Sequence, residues 1–175
     1  MKSAQDIFEI LKEKFPEEVI SITTGKPKED IIDIHPLSIN KISFFLRDSE
    51  VLLFDNLILL SGVDNADGKK KTLPDGSFEY ENNTLSVFYH VESTSLKHKI
   101  TLRVTVPVDK PEVESVSEIW MCADWHEREA FDMIGINFLN HPNLIRILMP
   151  YDWEYGYPLR KDYKNPEFYA GMKVS

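Results

Sequence analysis

The 175-residue chain has a single cysteine, Cys122. That excludes an internal disulfide, a Cys-x-x-Cys zinc site and an iron–sulfur cluster held by this chain alone. Cys122 itself reads as a small buried apolar residue. Glycine is also scarce: there are seven, scattered at turns. Neither GxGxxG nor GxxxxGK[ST] occurs, and a phosphate cradle needs backbone amides freed by clustered glycines. Basic residues are outnumbered, 20 Lys and Arg against 29 Asp and Glu, for a formal net charge of −9. Nucleic-acid affinity rests on neutralising phosphates, so no nucleic-acid partner is expected. No apolar run approaches the roughly 20 residues a spanning helix needs. The longest, Val51 to Leu60, is interrupted by Asp55 and Asn56. Residues 1–15 carry acids and no uninterrupted apolar block, unlike a signal peptide. The expectation is a cytoplasmic chain that meets a membrane only through a partner.

The catalytic templates fail in turn. His126-Glu127 invites comparison with HExxH, which needs a second histidine one helical turn on; that position is Ala130. A scattered site using His126, Glu129 and His141 is the remaining metal arrangement. No serine lies in GxSxG, and acids near Cys122 would raise its thiol pKa rather than lower it. Paired carboxylates are plentiful, but a charged helix surface supplies them without any acid–base role.

What is present is a soluble globular composition, 42% hydrophobic and 28% charged. Residues 3–15 read as an amphipathic helix capped by Ser3, with Ile7, Phe8, Ile10, Leu11 and Phe15 on one face. Residues 17–24 form a β-branched strand closed by Gly25 and Pro27, and residues 30–35 a second strand. Pro36 opens a helix running to about residue 47, with Phe45 and Leu46 inward. Residues 51–61 read as a buried strand and 65–76 as a polar loop whose tip is Lys69-Lys70-Lys71. Residues 78–106 form antiparallel strands, with Ile100, Leu102, Val104 and Val106 on one face of the second. Residues 108–114 read as an acidic connection. The class is α+β, a mostly antiparallel sheet with flanking helices and an extended C-terminal tail. One domain over 1–150 is expected, then an extended partner-binding tail over 151–175.

All three tryptophans, Trp120, Trp125 and Trp153, fall between Ile119 and Tyr163. Placed on a helix, Trp120, Ala123, Ala130, Phe131 and Ile134 share one face, with Glu127 in its middle. A carboxylate there is costly unless paired, and Arg146 is the candidate partner. Asp124, Arg128 and Asp132 stand at i, i+4 and i+8, the spacing of an ion-paired ladder. Trp125 projects to the other side, near Glu129 and Asp132. It is either covered by the chain's own tail or an interface anchor. The tail, with Tyr151, Trp153, Tyr155, Tyr157, Pro158, Tyr163, Pro166, Phe168 and Tyr169, is aromatic and rigid without periodicity, as in segments that lie along another surface.

These residues carry a resemblance. Glu127-Arg128-Glu129, Phe131 to Ile136, His141-Pro142, Leu144 to Pro150, Asp152-Trp153 and Pro158-Leu159-Arg160-Lys161-Asp162-Tyr163 resemble the thirty-kilodalton subunit family of the proton-pumping NADH–quinone oxidoreductase, respiratory complex I. Upstream, Leu60 to Asp64 and Tyr89 to His98 fit the same family. The likeness spans about residues 50–163. Tyr155 is an extra residue beside Trp153, and Ile145 stands where the family often has a second arginine. The resemblance implies a hydrophilic, non-catalytic subunit of the peripheral arm, in the quinone-reducing module on the cytoplasmic side of the cell membrane. Its partners would be the hydrogenase-like large subunit and the subunit that holds the terminal iron–sulfur cluster. No cofactor is implied for this chain; quinone, NADH and the iron–sulfur clusters belong to the complex. The alternative is the equivalent subunit of a membrane-bound hydrogenase or of a ferredoxin- or deazaflavin-dependent oxidoreductase.

Overall fold

A computed structural model describes residues 1–25, 29–74 and 76–174. Helix α1 (Ala4–Lys14) starts where the sequence predicts. The Ser3 hydroxyl accepts the Asp6 amide, and the Asp6 carboxylate accepts the Ser3 amide at 2.8 Å, a reciprocal capping box. Strands β1 (Val19–Thr23) and β2 (Ile31–Ile34) follow; the expected stop at Pro27 lies outside the described residues. Pro36 opens a short 3-10 turn before helix α2 (Ile39–Asp48). Strand β3 (Asn56–Asp64) pairs with β6 (Thr84–Glu92), and β6 with β7 (Lys99–Pro107). The main sheet has the order β1-β2-β7-β6-β3, antiparallel except for the parallel β2–β7 pair.

Alternation fixes its inner face. Ile100, Leu102, Val104 and Val106 of β7 all point inward, as do Leu85, Val87, Tyr89 and Val91 of β6. They share one core with Ile7, Leu11 and Phe15 below α1 and Ile39, Ile42 and Leu46 of α2. Each such side chain contributes about 1.5–3 kcal/mol on burial. Leu46 is buried as expected, whereas Phe45 is only partly covered.

Three expectations are corrected. The strand begins at Asn56, not Val51. Leu52 and Phe54 are buried in the turn before it, and Leu53 sits at φ 46, so the apolar run fills a turn rather than a strand. Residues 65–76 are not all loop: β4 (Lys69–Thr72) pairs with β5 (Phe78–Glu81) in an exposed hairpin. Lys71 bridges Glu79 and Glu81 across it, and Lys70 lies 3.9 Å from the Phe78 ring centre. Charge pairs leave no apolar alternation to read. Finally, the acidic connection contains β8 (Glu112–Glu114), parallel to β9 (Asn137–Leu139).

Helix α3 (Ala123–Ile134) packs on β3 at Gly62, where a Cβ would press on Ala130, Ile134 and Ile136. It begins three residues later than predicted. Trp120 precedes it, buried, with its indole N–H on the Phe54 carbonyl at 3.0 Å. The helix ends at Gly135, φ 84, in the left-handed conformation that closes a helix. After residue 150 the chain folds back: the Leu159 amide donates to the Met133 carbonyl and the Lys161 amide to Asp64. Short strands β10 (Phe168–Tyr169) and β11 (Met172–Lys173) close the tail. The ring of Tyr157 lies where a Cβ on Gly135 would be. Gly135→Ala therefore combines positive-φ strain with expulsion of Tyr157. It is expected to lower stability by about 2–4 kcal/mol in urea denaturation. An unchanged midpoint would show that the tail does not seat on this helix end.

Candidate docking site

Helix α3 puts charged side chains on both sides of an apolar stripe, and the structure gives each a different task. Glu127 is fully buried. Its carboxylate accepts the Ser115 hydroxyl at 2.6 Å and the Val116 amide at 2.7 Å. Arg146 is not its partner, because Glu127 faces the 115–117 segment and Arg146 lies across the helix. Burial pushes the Glu127 carboxyl from 4.5 up to about 7. The Ser115 and Val116 hydrogen bonds work against that rise, and the nearby Asp124 charge adds to it. His141 stands beside it, with its Nε2 3.8 Å from Glu127, 3.3 Å from Asp124 Oδ1 and 3.2 Å from the Asp124 carbonyl. The Asn143 amide donates to His141 Nδ1 at 3.0 Å, which leaves Nε2 to carry the proton toward Asp124. The Tyr89 hydroxyl is buried in the core without a hydrogen-bond partner among the described residues; burial and the Glu127 charge raise its pKa.

Asp132 is the second fully buried carboxylate. One oxygen takes the Arg146 guanidinium at 2.7 Å. The other takes three successive amides, Ile147 at 3.0 Å, Leu148 at 2.7 Å and Met149 at 2.9 Å. Burial alone would raise this carboxyl. The Met149 amide, Arg146 and the Leu148 and Ile147 amides outweigh it and hold the pKa below 3.8. Arg146 also reaches the Trp153 carbonyl at 3.2 Å, so one acid organises the chain from 146 to 153.

The ladder of Asp124, Arg128 and Asp132 therefore does not form. Asp124 leans to His141 and Asp132 turns inward. Arg128 lies 4.7 Å from the Trp125 ring centre and donates to the Ile145 carbonyl at 3.4 Å. Nor do His126, Glu129 and His141 meet: His141 is on the Glu127 side, while His126 and Glu129 border β3. Among the described residues, no group of three or more His, Cys, Asp or Glu is placed to hold a metal. Cys122 lies at the surface rather than in the core. Its sulfur turns toward the Leu57 carbonyl, and burial of the thiol, not neighbouring acids, raises its pKa.

The tail leaves Trp125 uncovered, 62% exposed. With the stacked Arg128 and the exposed Ile145 it forms a ridge, and Leu148 and Tyr151 are exposed further along the chain. Trp153 is buried instead, its indole on the Gly156 carbonyl and its ring against Tyr155 and Tyr169. Asp152 accepts the Tyr169 hydroxyl at 2.8 Å. Arg160 donates to the Ile134 carbonyl at 2.7 Å and covers Tyr157. Pro158, Asp162 and Tyr163 are half-buried along the returning tail, and the Lys161 side chain is exposed. Sequence reasoning missed Asp64, which accepts the Ala66 and Lys161 amides and the Asn83 amide group. It also missed Ser115. Asp64 falls inside Leu60 to Asp64, a segment with a family likeness, whereas nothing local marks Ser115 as a partner of Glu127.

Both buried carboxylates have measurable consequences. The unfolded Glu127 ionises near 4.5 and the folded one near 7, so folding loses stability as pH rises between those values, by about 3 kcal/mol, and levels above. Glu127→Gln keeps the Val116 bond on its oxygen and reverses the Ser115 bond, its amide donating to the hydroxyl oxygen, and is expected to flatten that part of the urea-midpoint pH profile. An unaltered slope would exclude Glu127 as its source. Asp132→Asn is expected to cost about 3–5 kcal/mol. It should also speed hydrogen exchange at the Ile147, Leu148 and Met149 amides; unchanged exchange would refute the anchoring role.

The family model described as respiratory-chain NADH dehydrogenase, 30 kDa subunit, matches residues 32–169. The C subunit of NADH-quinone oxidoreductase from Chloroherpeton thalassium is 41% identical over 169 residues, 95% of this chain and 63% of that protein. Its counterpart from Chlorobium phaeobacteroides, of the same name, is 36% identical over 177 residues, 99% of this chain and 96% of that protein. The chain thus spans less than two thirds of the first relative's length and nearly all of the second's. A solved trypsin-resistant fragment (1–134) of Nqo5 superposes with a TM-score of 0.58 at 20% identity, over 80% of this chain and 98% of the fragment. That likeness is one of fold.

Proposed function

The chain belongs to the 30 kDa subunit family of the respiratory-chain NADH dehydrogenase, and from that premise we propose that it is a non-catalytic, hydrophilic subunit of a proton-translocating NADH–quinone oxidoreductase. It sits in the quinone-reducing module of the peripheral arm, on the cytoplasmic side of the membrane. There it supports electron transfer from NADH to quinone without holding a redox group itself. Its partners are the hydrogenase-like large subunit and the subunit with the terminal iron–sulfur cluster. No helix among the described residues is long and apolar enough to cross a membrane, so attachment through the complex fits. The relatives are named for NADH–quinone oxidoreductase, which favours this reading over a hydrogenase-type or ferredoxin-dependent complex.

The observation that carries the reading is the ridge of Trp125, Arg128 and Ile145. Aromatic and arginine side chains are enriched at the centres of protein interfaces. Here the fold commits two buried carboxylates to fix a surface on which Trp125 and Ile145 stay exposed, with Arg128 packed beneath the tryptophan ring. The Asp132 anchor shapes the 144–149 loop, and the Glu127 clamp holds the helix that presents Trp125. Residues 151–175 extend the docking surface as a partner-binding tail, with Tyr151, Phe168 and Met172 outward. Lys161 supplies an exposed charge along it.

Trp125→Ala is the direct test. The side chain supports little of the fold, so the melting temperature of the isolated chain is expected to stay within about 2 °C. Incorporation into the solubilised complex is expected to fall by roughly 30-fold in affinity, as for a hot-spot truncation. Co-purification with mass spectrometry reads the result and identifies the partners. Normal assembly of the variant would remove the ridge from the interface.

A further inference from the structure

Strand β3 is one edge of the main sheet, with β6 on one side only. The phase of that ladder is fixed at its end, where the Asn65 amide donates to the Thr84 carbonyl at 3.1 Å. Bonded and non-bonded pairs alternate in an antiparallel ladder. With Leu60 opposite Tyr89 and Gly62 opposite Val87, the amides and carbonyls of Ser61 and Val63 turn to β6. Those of Leu60 and Gly62 turn outward. They open on a groove of about 240 Å³ lined by the consecutive residues 59–62, by His126, Glu129 and Met133 of α3, and by Leu159. Four consecutive residues line it because it runs along the strand's backbone edge.

Natural edges are guarded by lysines, prolines, short length or bulges. The opposite edge, β1, is five residues long and bulged, and Lys12 donates to its Val19 carbonyl. β3 is nine residues long; its register shifts once, between Leu57 and Leu59, and from Leu59 to Val63 it runs regularly with no charged residue and no proline. Ile58, Leu59 and Val63 are exposed beside that edge. Cys122 meets the Leu57 carbonyl at one end and the Lys161 amide meets Asp64 at the other. Between them the six residues 58–63 are open, a span of about 20 Å for an extended chain.

We propose that an extended segment of a partner polypeptide adds to the free edge of β3 as a sixth strand. It hydrogen-bonds to Leu60 and Gly62, lays apolar side chains beside Leu59 and Val63, and sets a basic side chain opposite Glu129. A second copy of this chain is disfavoured: each carries a net charge of −9, and the Leu57 to Val63 stretch has no cation of its own to set against Glu129. The inference depends on the assembly reading only for the existence of a partner, and it concerns a different surface from the Trp125 ridge.

Hydrogen exchange read at single amides tests it, comparing the isolated full chain, over a dilution series, with the chain in the purified complex. Leu60 and Gly62 are expected to exchange freely in the isolated chain and to slow by at least about tenfold in the complex, with Ser61 and Val63 protected in both. Equal, fast exchange of Leu60 and Gly62 in both states overturns the inference while leaving assembly intact. Protection in the isolated chain that vanishes on dilution assigns the edge to a second copy and overturns it as well. Protection that persists on dilution assigns the edge to the chain's own segments, with the same consequence. A chain that joins no complex and exchanges freely at both amides overturns this inference and the assembly reading together.

Discussion

The Asp132 carboxylate is the constraint on which the C-terminal third depends. A bare carboxylate at zero exposure would be expelled or protonated. This one is kept charged by four donors, three of them consecutive backbone amides. Those amides bind only if residues 146–149 curl around one oxygen, so the charge dictates a loop shape that no local propensity would choose. Arg146, recruited to the other oxygen, carries the constraint on to the Trp153 carbonyl. The aromatic cluster of Trp153, Tyr155 and Tyr169 is then assembled from residues that have no periodicity of their own.

Glu127 shows the opposite solution on the same helix. It has two short hydrogen bonds but no cation within bonding distance, so burial wins and the carboxyl titrates near neutrality. Two acids five positions apart thus differ in charge state because one faces a fork of donors and the other a serine and a single amide. A surface helix with this composition would treat them alike.

Much of the fold was legible because its signals are local. The Ser3–Asp6 cap, the alternation of β7 and the apolar faces of α1 and α2 each lie within one element. Glu127 was legible as a buried acid for the same reason, since helical periodicity alone places it among apolar neighbours. Its partners were not, because Ser115 and Val116 belong to another segment and helical spacing says nothing about what packs opposite. The expected ladder failed on the same point: i, i+4 spacing permits ion pairs, but His141, Ile145 and Arg146 offered each side chain a better one. The β4–β5 hairpin was missed since lysines and glutamates hold it, and the early start of β3 was misread since Leu52 and Phe54 fill the core from a turn.

The Lys161 amide that reaches Asp64 bridges 97 positions of sequence. On a ribosome adding about 5–20 residues per second, that amide follows Asp64 by roughly 5–20 seconds. Through that interval Asp64 Oδ1 already has Ala66 and Asn83, while Oδ2 waits for a donor not yet synthesised. The β3 terminus is therefore completed by a segment made 97 positions later, and a nascent chain halted before residue 161 leaves it unfinished.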